Sequence, residues 1–361
     1  MMTVYTGINV PYGALLGVIS DDPKEKTVFS SFRMFFAYGG SFIALFSWEP
    51  LCNFFKVTCG VSVESSWQYA MCAIAAACVV LFVCCFVMTK ETVKTKSTLS
   101  ISKDFKALLS NGPWWLLIGA AMSFNLFSTV RGATVAYFFA DVIGSDATLS
   151  FGSLGSILFY SGLFLGIGEI ANMVGVALTV PIATRLGKKS TFIMVNATLV
   201  VLSSAFFFIP VTAAGYWMML ILQIFISILT GIMSPLIWSM YADVSDYSEL
   251  KYKSASTGLI FSSSSMAQKF GGALGGAAVL WILGACGYSE TATAMSQPQS
   301  AINCLWYLMS FIPAGVAFLA ALVASAYPLT TEKVNEIVHH LKHQRFQIVA
   351  ENEEIDLANA M

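Results

Sequence analysis

Charge is what this chain has least of. Asp, Glu, Lys and Arg make up 11% of its 361 residues, less than half the roughly 25% of an ordinary soluble domain. A fold wetted on every side is therefore excluded. Histidine is scarce too: His339, His340 and His343 all fall in the last stretch of sequence, outside any apolar run. No H-E-x-x-H occurs, and LGKKST at 186–191 lacks the upstream glycine of a phosphate loop. The eight cysteines contain no C-x-x-C pair, so neither a zinc ribbon nor a dithiol redox centre is encoded. No nucleophile–base pair, metal site or cofactor motif emerges, and the expectation is that the protein is not an enzyme. A formal net charge of −1 with no strong basic block excludes nucleic acid as a partner.

What is present is apolar. Hydrophobic residues reach 57%, with 28 Phe, 16 Met and 8 Trp, and the mean hydropathy is +0.74. A helix crossing a bilayer needs roughly 20 mostly apolar residues. Nine such runs lie near 1–19, 32–48, 69–88, 113–141, 155–181, 190–210, 215–241, 257–285 and 303–327. The period-two alternation of a membrane barrel is missing, so the runs are expected to be helices. The fold class is an all-α membrane protein.

The connections set the orientation. Sixteen of the nineteen Lys and Arg fall on one side of the nine spans, one on the other, and two, Arg131 and Lys269, inside spans. The positive-inside rule places the C-terminus in the cytoplasm, in a plasma or inner membrane. Nine spans then put Met1 outside, with no signal peptide to explain the start. The chain reads as N-terminally incomplete, with an odd number of helices upstream. Its organisation is three helices over 1–88, a basic cytoplasmic loop over 89–112, six helices over 113–327, and a cytoplasmic tail over 328–361. Repeat-built transporters divide in this way, with the substrate site between the halves near midplane.

Ionisable groups within spans are costly and usually face a cavity or the bundle interior. Arg33, Arg131, Glu169 and Lys269 qualify. Lys269, far from either end of its run, is a partner for a substrate oxygen or half of a structural ion pair. Arg131 and Glu169 are cavity groups or partners of each other, and Arg33 is a cavity group or an anchor for a lipid phosphate. Asp243, Asp246 and Glu249 are spaced i, i+3, i+6 and share an arc of about 120° on a helix. Without His or Cys they suit a cytoplasmic gate closing on basic residues better than a metal; the bland alternative is a solvated helix end. Gly271, Gly272, Gly275 and Gly276 form two overlapping G-x-x-x-G pairs, which permit close helix packing. Pro11 and Pro235 either free backbone carbonyls for a cavity or simply kink their helices. Cys52 with Cys59, and Cys286 with Cys304, are candidates for disulfides or for free, mostly buried thiols.

Three segments carry more. YADVSDYSELK at 241–251, followed by TGLIFSSSSMAQKFGGALGGA, resembles the A-D-x-x-D-Y-x-E-x-K signature of the glycoside–pentoside–hexuronide:cation symporters, the melibiose-carrier group of the major facilitator superfamily. YTGINVPYGALLGVISDDPKEKTVFSSFRMFFAYGG at 5–40 is similar to the fourth helix, the following loop and the start of the fifth helix in that family, and VRGATVAYFFADVIG at 130–144 to its seventh. The resemblance implies a major-facilitator-type helical bundle with nine of twelve transmembrane helices present, the fourth to the twelfth.

It also implies roles. Tyr5, Thr6 and Asn9 match positions near the sugar and the coupling cation, with Thr6 on the cation side. The main acidic ligands of the cation would lie upstream of this chain. Asn9 stands where melibiose-type members have Asp, and Gly13 replaces an aromatic that stacks on the sugar. Arg33 and Lys269 match cavity residues, and Asp243, Asp246 and Glu249 match inner-gate acids. SASTG at 254–258 stands where the family's G-x-R basic residue is usual. The implied function is transport of a sugar, glycoside or hexuronide coupled to Na⁺ or H⁺ by alternating access, with Tyr5, Asn9, Arg33, Arg131 and Lys269 as substrate contacts. A hexuronide carboxylate would meet a cation such as Arg131. The partners are a small sugar-like molecule and the lipid bilayer; oligomeric state is left open. The alternatives are an amphiphile or lipid-type carrier of the same superfamily, a sensor, or an inactive truncated remnant.

Overall fold

The apolar runs fold as helices, and polar residues at their ends supply what the backbone lacks. The computed structural model describes residues 12–16, 19–20, 22–88, 101–144, 147–150, 156–253, 256–289 and 296–342. Helix α1 (Pro23–Thr58) begins where the Asp22 carboxylate accepts the Lys24 amide at 2.9 Å, with Pro23 in a position that needs no N–H. Helix α2 (Val63–Met88) follows. A short α3 (Ile101–Leu109) lies within the connection expected to be a loop. Asn111 then caps α4 (Gly112–Phe138), which widens into a π-turn at Phe139–Ile143 and stops at Gly144.

A small hairpin, β1 (Thr148–Ser150) against β2 (Ser156–Leu158), places Leu149 opposite Ile157. Beyond it come α5 (Ser161–Leu186), α6 (Lys188–Phe206), α7 (Ala213–Tyr252) and α8 (Thr257–Ala285). Helices α9 (Gln299–Met309) and α10 (Phe311–Ser325) close the bundle, and a final helix, α11, spans 331–342.

Several expected boundaries shift. The run at 155–181 does not begin as helix, because Ser156–Leu158 pairs with β1 before α5 starts at Ser161. The run at 215–241 continues for 40 residues, carrying Asp243, Asp246 and Glu249 on the helix. The run at 303–327 is two helices broken at Ser310. Most of the first run, 1–19, lies outside the described residues. Among those described, seven helical stretches are long and apolar enough to cross a membrane, against nine expected from the sequence. All eight thiols are free, and only Cys52 and Cys304 are buried, so most are not the buried thiols expected.

Helices α5 and α7 cross where both carry glycine. A Cβ on Gly175 would lie 2.0 Å from the Ile228 carbonyl oxygen, and one on Gly231 2.2 Å from that of Asn172. Backbones this close admit no side chain between them. Of the overlapping glycine pairs in α8, Gly271 and Gly275 press against α4 at Met122 and Thr129, whereas Gly276 meets nothing within 4 Å. Helix α1 packs across α5 and α7. Two buried apolar clusters result. One includes Trp114, Leu117, Phe192 and Tyr241 and reaches Leu341 of α11. The other gathers Phe138, Phe139, Phe159, Phe164 and Phe206.

Candidate functional site

A cavity of about 340 Å³ lies where the two clusters meet, and polar side chains on five helices line it. Helix α1 contributes Tyr38, and α4 contributes Asn125, Ser128 and Arg131. From α5 come Glu169 and Asn172; from α7, Gln223, Ser227, Thr230, Ser234 and Trp238; from α8, Gln268. The spacing explains the convergence, since residues three, four or seven apart share one face of a helix.

Arg131 is 5% exposed and anchored by neutral groups. Its guanidinium donates to the Met309 carbonyl at 2.8 Å and to Gln223 Oε1 at 2.6 Å, and lies 5.3 Å from the Phe206 ring centroid. The carbonyl is available for a definite reason. In a helix Met309 C=O would accept from the residue four positions on, but that residue is Pro313, which has no N–H. The break at Ser310 and the buried arginine therefore explain each other. Gln223 Nε2 continues the chain to Ser227 Oγ at 3.3 Å.

A second chain faces the same cavity. Thr230 donates to Asn172 Oδ1 at 2.9 Å, and Asn172 Nδ2 donates to Glu169 Oε2 at 3.4 Å. Arg131 and Glu169 thus share the cavity without pairing, contrary to one expectation from sequence. Beside them, Trp238 stacks on Phe261 with centroids 5.9 Å apart. The Arg33 guanidinium sits 4.2 Å from the Trp238 ring centroid and 4.7 Å from that of Tyr12. Arg33 is therefore next to the cavity behind Trp238, not in its lining. Lys269 is exposed and also outside the lining; its neighbour Gln268 is the α8 residue that faces in. Tyr5, Thr6 and Asn9 lie outside the described residues.

At one end of the bundle the three acids of α7 divide their roles. Asp243 receives the Lys188 ammonium on both carboxylate oxygens, at 2.8 and 2.7 Å. Asp246 receives Lys26 at 2.5 Å, with side chains 9% and 1% exposed. Lys188 opens α6, so the first pair lies within the group of helices after residue 112. Lys26 opens α1, so the second ties α1 to that group. Glu249 is half-buried one turn further along. Among the described residues, no cluster of His, Cys, Asp and Glu could hold a metal ion.

The model of the family described as MFS/sugar transport protein matches residues 1–331. The chain belongs to that family. It is a multi-pass membrane transporter and not an enzyme. Its relatives include the inner membrane symporter YicJ of Escherichia coli K12, 28% identical over 94% of this chain and 70% of that protein. The putative glycoside/cation symporter YagG of the same organism is 30% identical over 95% of this chain and 71% of that one. The isoprimeverose transporter of Lactiplantibacillus pentosus is 29% identical over 88% and 64%. Among solved structures, the E. coli fucose:proton symporter FucP superposes with a TM-score of 0.60 at 13% identity, covering 89% of this chain and 73% of that one. That likeness supports the major-facilitator fold.

Sequence reasoning missed Asn125, Asn172, Gln223, Thr230 and Gln268. Ionisable groups drew attention within the spans, whereas the stripe Gln223, Ser227, Thr230, Ser234 is neutral. A polar residue recurring every three or four positions in an apolar helix was the available signal.

Proposed function

We propose that the 340 Å³ cavity is the substrate site for cation-coupled transport of a sugar, glycoside or hexuronide by alternating access. The observation that carries this reading is the pair of hydrogen-bonded chains, Arg131–Gln223–Ser227 and Glu169–Asn172–Thr230, lining one cavity between apolar clusters. A polyhydroxylated ligand needs donors and acceptors set close together, and Trp238 adds an aromatic wall. The likeness to YicJ, an inner membrane symporter, and to YagG, a putative glycoside/cation symporter, supports coupling to Na⁺ or H⁺.

The chain corresponds to the fourth to twelfth helices of a twelve-helix bundle, with its C-terminus in the cytoplasm of an inner membrane. Lys26–Asp246 then closes the cytoplasmic side across the two halves, and Lys188–Asp243 braces it. Arg33 supports Trp238 from behind. By the family resemblance Thr6 serves the cation, and no resident cofactor is part of this reading.

The deciding experiment is uptake of a panel of labelled pentosides, hexosides and hexuronides into proteoliposomes under imposed Na⁺ or H⁺ gradients. Gradient-dependent uptake of a sugar, reduced at least tenfold by Gln223→Ala, is expected. Uptake of amphiphiles alone would favour the lipid-type carrier. Binding without uptake would make the chain a sensor, and neither binding nor uptake a remnant.

A further inference from the structure

We propose that Glu169 is an ammonium-binding subsite and that the molecule the cavity takes is an amino sugar acid. This names the substrate class of the transport site and rests on that reading of the cavity. Among the described residues, Glu169 is the one carboxylate of the lining and Arg131 the one cation. They do not pair, because the Arg131 guanidinium is held by the Met309 carbonyl and by Gln223. The ion pairs Lys26–Asp246 and Lys188–Asp243 do not involve Glu169 either. Its hydrogen bond from Asn172, at 3.4 Å, is long beside the 2.7–2.9 Å usual when nitrogen donates to a carboxylate with full charge on both. Two opposite charges thus face one cavity, and neither meets a counter-charge from the protein.

An unmatched charge inside a membrane span is costly, and a ligand of opposite charge at that point offsets the cost. Glu169 supplies what an ammonium needs. A carboxylate accepts on both oxygens, whereas an ammonium only donates. Hydroxyls stand close by for the remaining N–H groups: the Tyr38 phenol lies beside Ser234 and within electrostatic reach of Glu169, and all three line the cavity. A sugar hydroxyl in the same place would leave the charge on Glu169 unmatched.

The two charges also grade the possible substrates. A neutral glycoside matches neither. A hexuronide matches Arg131, whose contacts to Met309 and Gln223 leave the rest of its donor fork to a ligand. It also brings a second carboxylate into a cavity that already holds Glu169. A hexosamine matches Glu169 and adds a positive charge near Arg131. An amino sugar acid, with ammonium and carboxylate on one ring, matches both and leaves the lining neutral.

The test uses the full chain in lipid nanodiscs and titration calorimetry at about pH 6, below the usual range of an amine. The probes are 2-amino-2-deoxy-D-glucuronate and D-glucuronate, which differ only by an ammonium in place of a hydroxyl, with methyl β-D-xyloside as a neutral sugar. Wild type is expected to bind the amine at least about tenfold more tightly than D-glucuronate, the factor of one ligand–protein charge pair. In Glu169→Gln the two should move in opposite directions. The amine should weaken at least about tenfold and D-glucuronate should tighten, since a repelling charge is gone. Glu169→Asp should keep the preference for the amine.

A loss shared equally by all three probes in Glu169→Gln would make Glu169 structural and overturn the subsite. The wild-type comparison carries the test should the variants fail to fold. There, equal binding of the amine and D-glucuronate would overturn the subsite and leave the transport site standing. Binding of none of the three sugars would overturn the transport reading of the cavity, and the subsite with it.

Discussion

Lys26, at the first turn of α1, places its ammonium 2.5 Å from the Asp246 carboxylate near the end of α7, with both side chains almost completely out of solvent. These residues are 220 positions apart in sequence. A buried pair of this kind is replaced by apolar residues at little net cost, but removing one partner strands the other charge, typically at about 3–5 kcal/mol.

Asp246→Asn should therefore lower the thermal midpoint of the purified protein well below that of wild type. Combining it with Lys26→Met should restore most of the loss. A double variant no more stable than Asp246→Asn would show that the pair contributes by some route other than mutual neutralisation.

Arg131 predicts a selective defect. Arg131→Gln removes the cation from the cavity while keeping a side chain that hydrogen-bonds. Uptake of hexuronides should fall at least tenfold, with uptake of neutral glycosides changed much less. Equal losses for both classes, measured side by side, would make the arginine a structural clasp for Met309.

Glycines in similar sequence settings should respond in opposite ways. Ala at Gly175 must displace the backbone of α7, since its Cβ would meet the Ile228 carbonyl oxygen at 2.0 Å. A loss of about 1–3 kcal/mol or more is expected. Ala at Gly276 meets nothing within 4 Å and replaces a poor helix former, for a gain of up to about 1 kcal/mol. Thermal unfolding of the two variants in one detergent reads both.

Adjacent residues of α8 should also separate. Gln268→Ala removes a lining side chain and should weaken sugar binding several-fold. Lys269→Ala alters an exposed side chain outside the cavity and should leave binding near the wild-type value. Titration calorimetry with the transported sugar decides between them, and a larger effect at Lys269 would restore that residue to the substrate site.

The mostly helical membrane architecture, its repeated apolar spans and the shared arc of the α7 acids were legible in the sequence. Each is a local consequence: a bilayer requires long apolar helices, and i, i+3, i+6 spacing puts Asp243, Asp246 and Glu249 on one arc whatever surrounds them. What those groups face is not local. Asp243 and Asp246 are alike in sequence, yet one binds Lys188 of α6 and the other Lys26 of α1. Gln268 and Lys269 are neighbours, but about 100° of helical rotation takes one into the cavity and leaves the other outside. Arg131 and Glu169 come to one cavity without pairing because Pro313 leaves the Met309 carbonyl for the arginine. Helix periodicity fixes which residues share a face; only the packing of helices distant in sequence decides what that face meets.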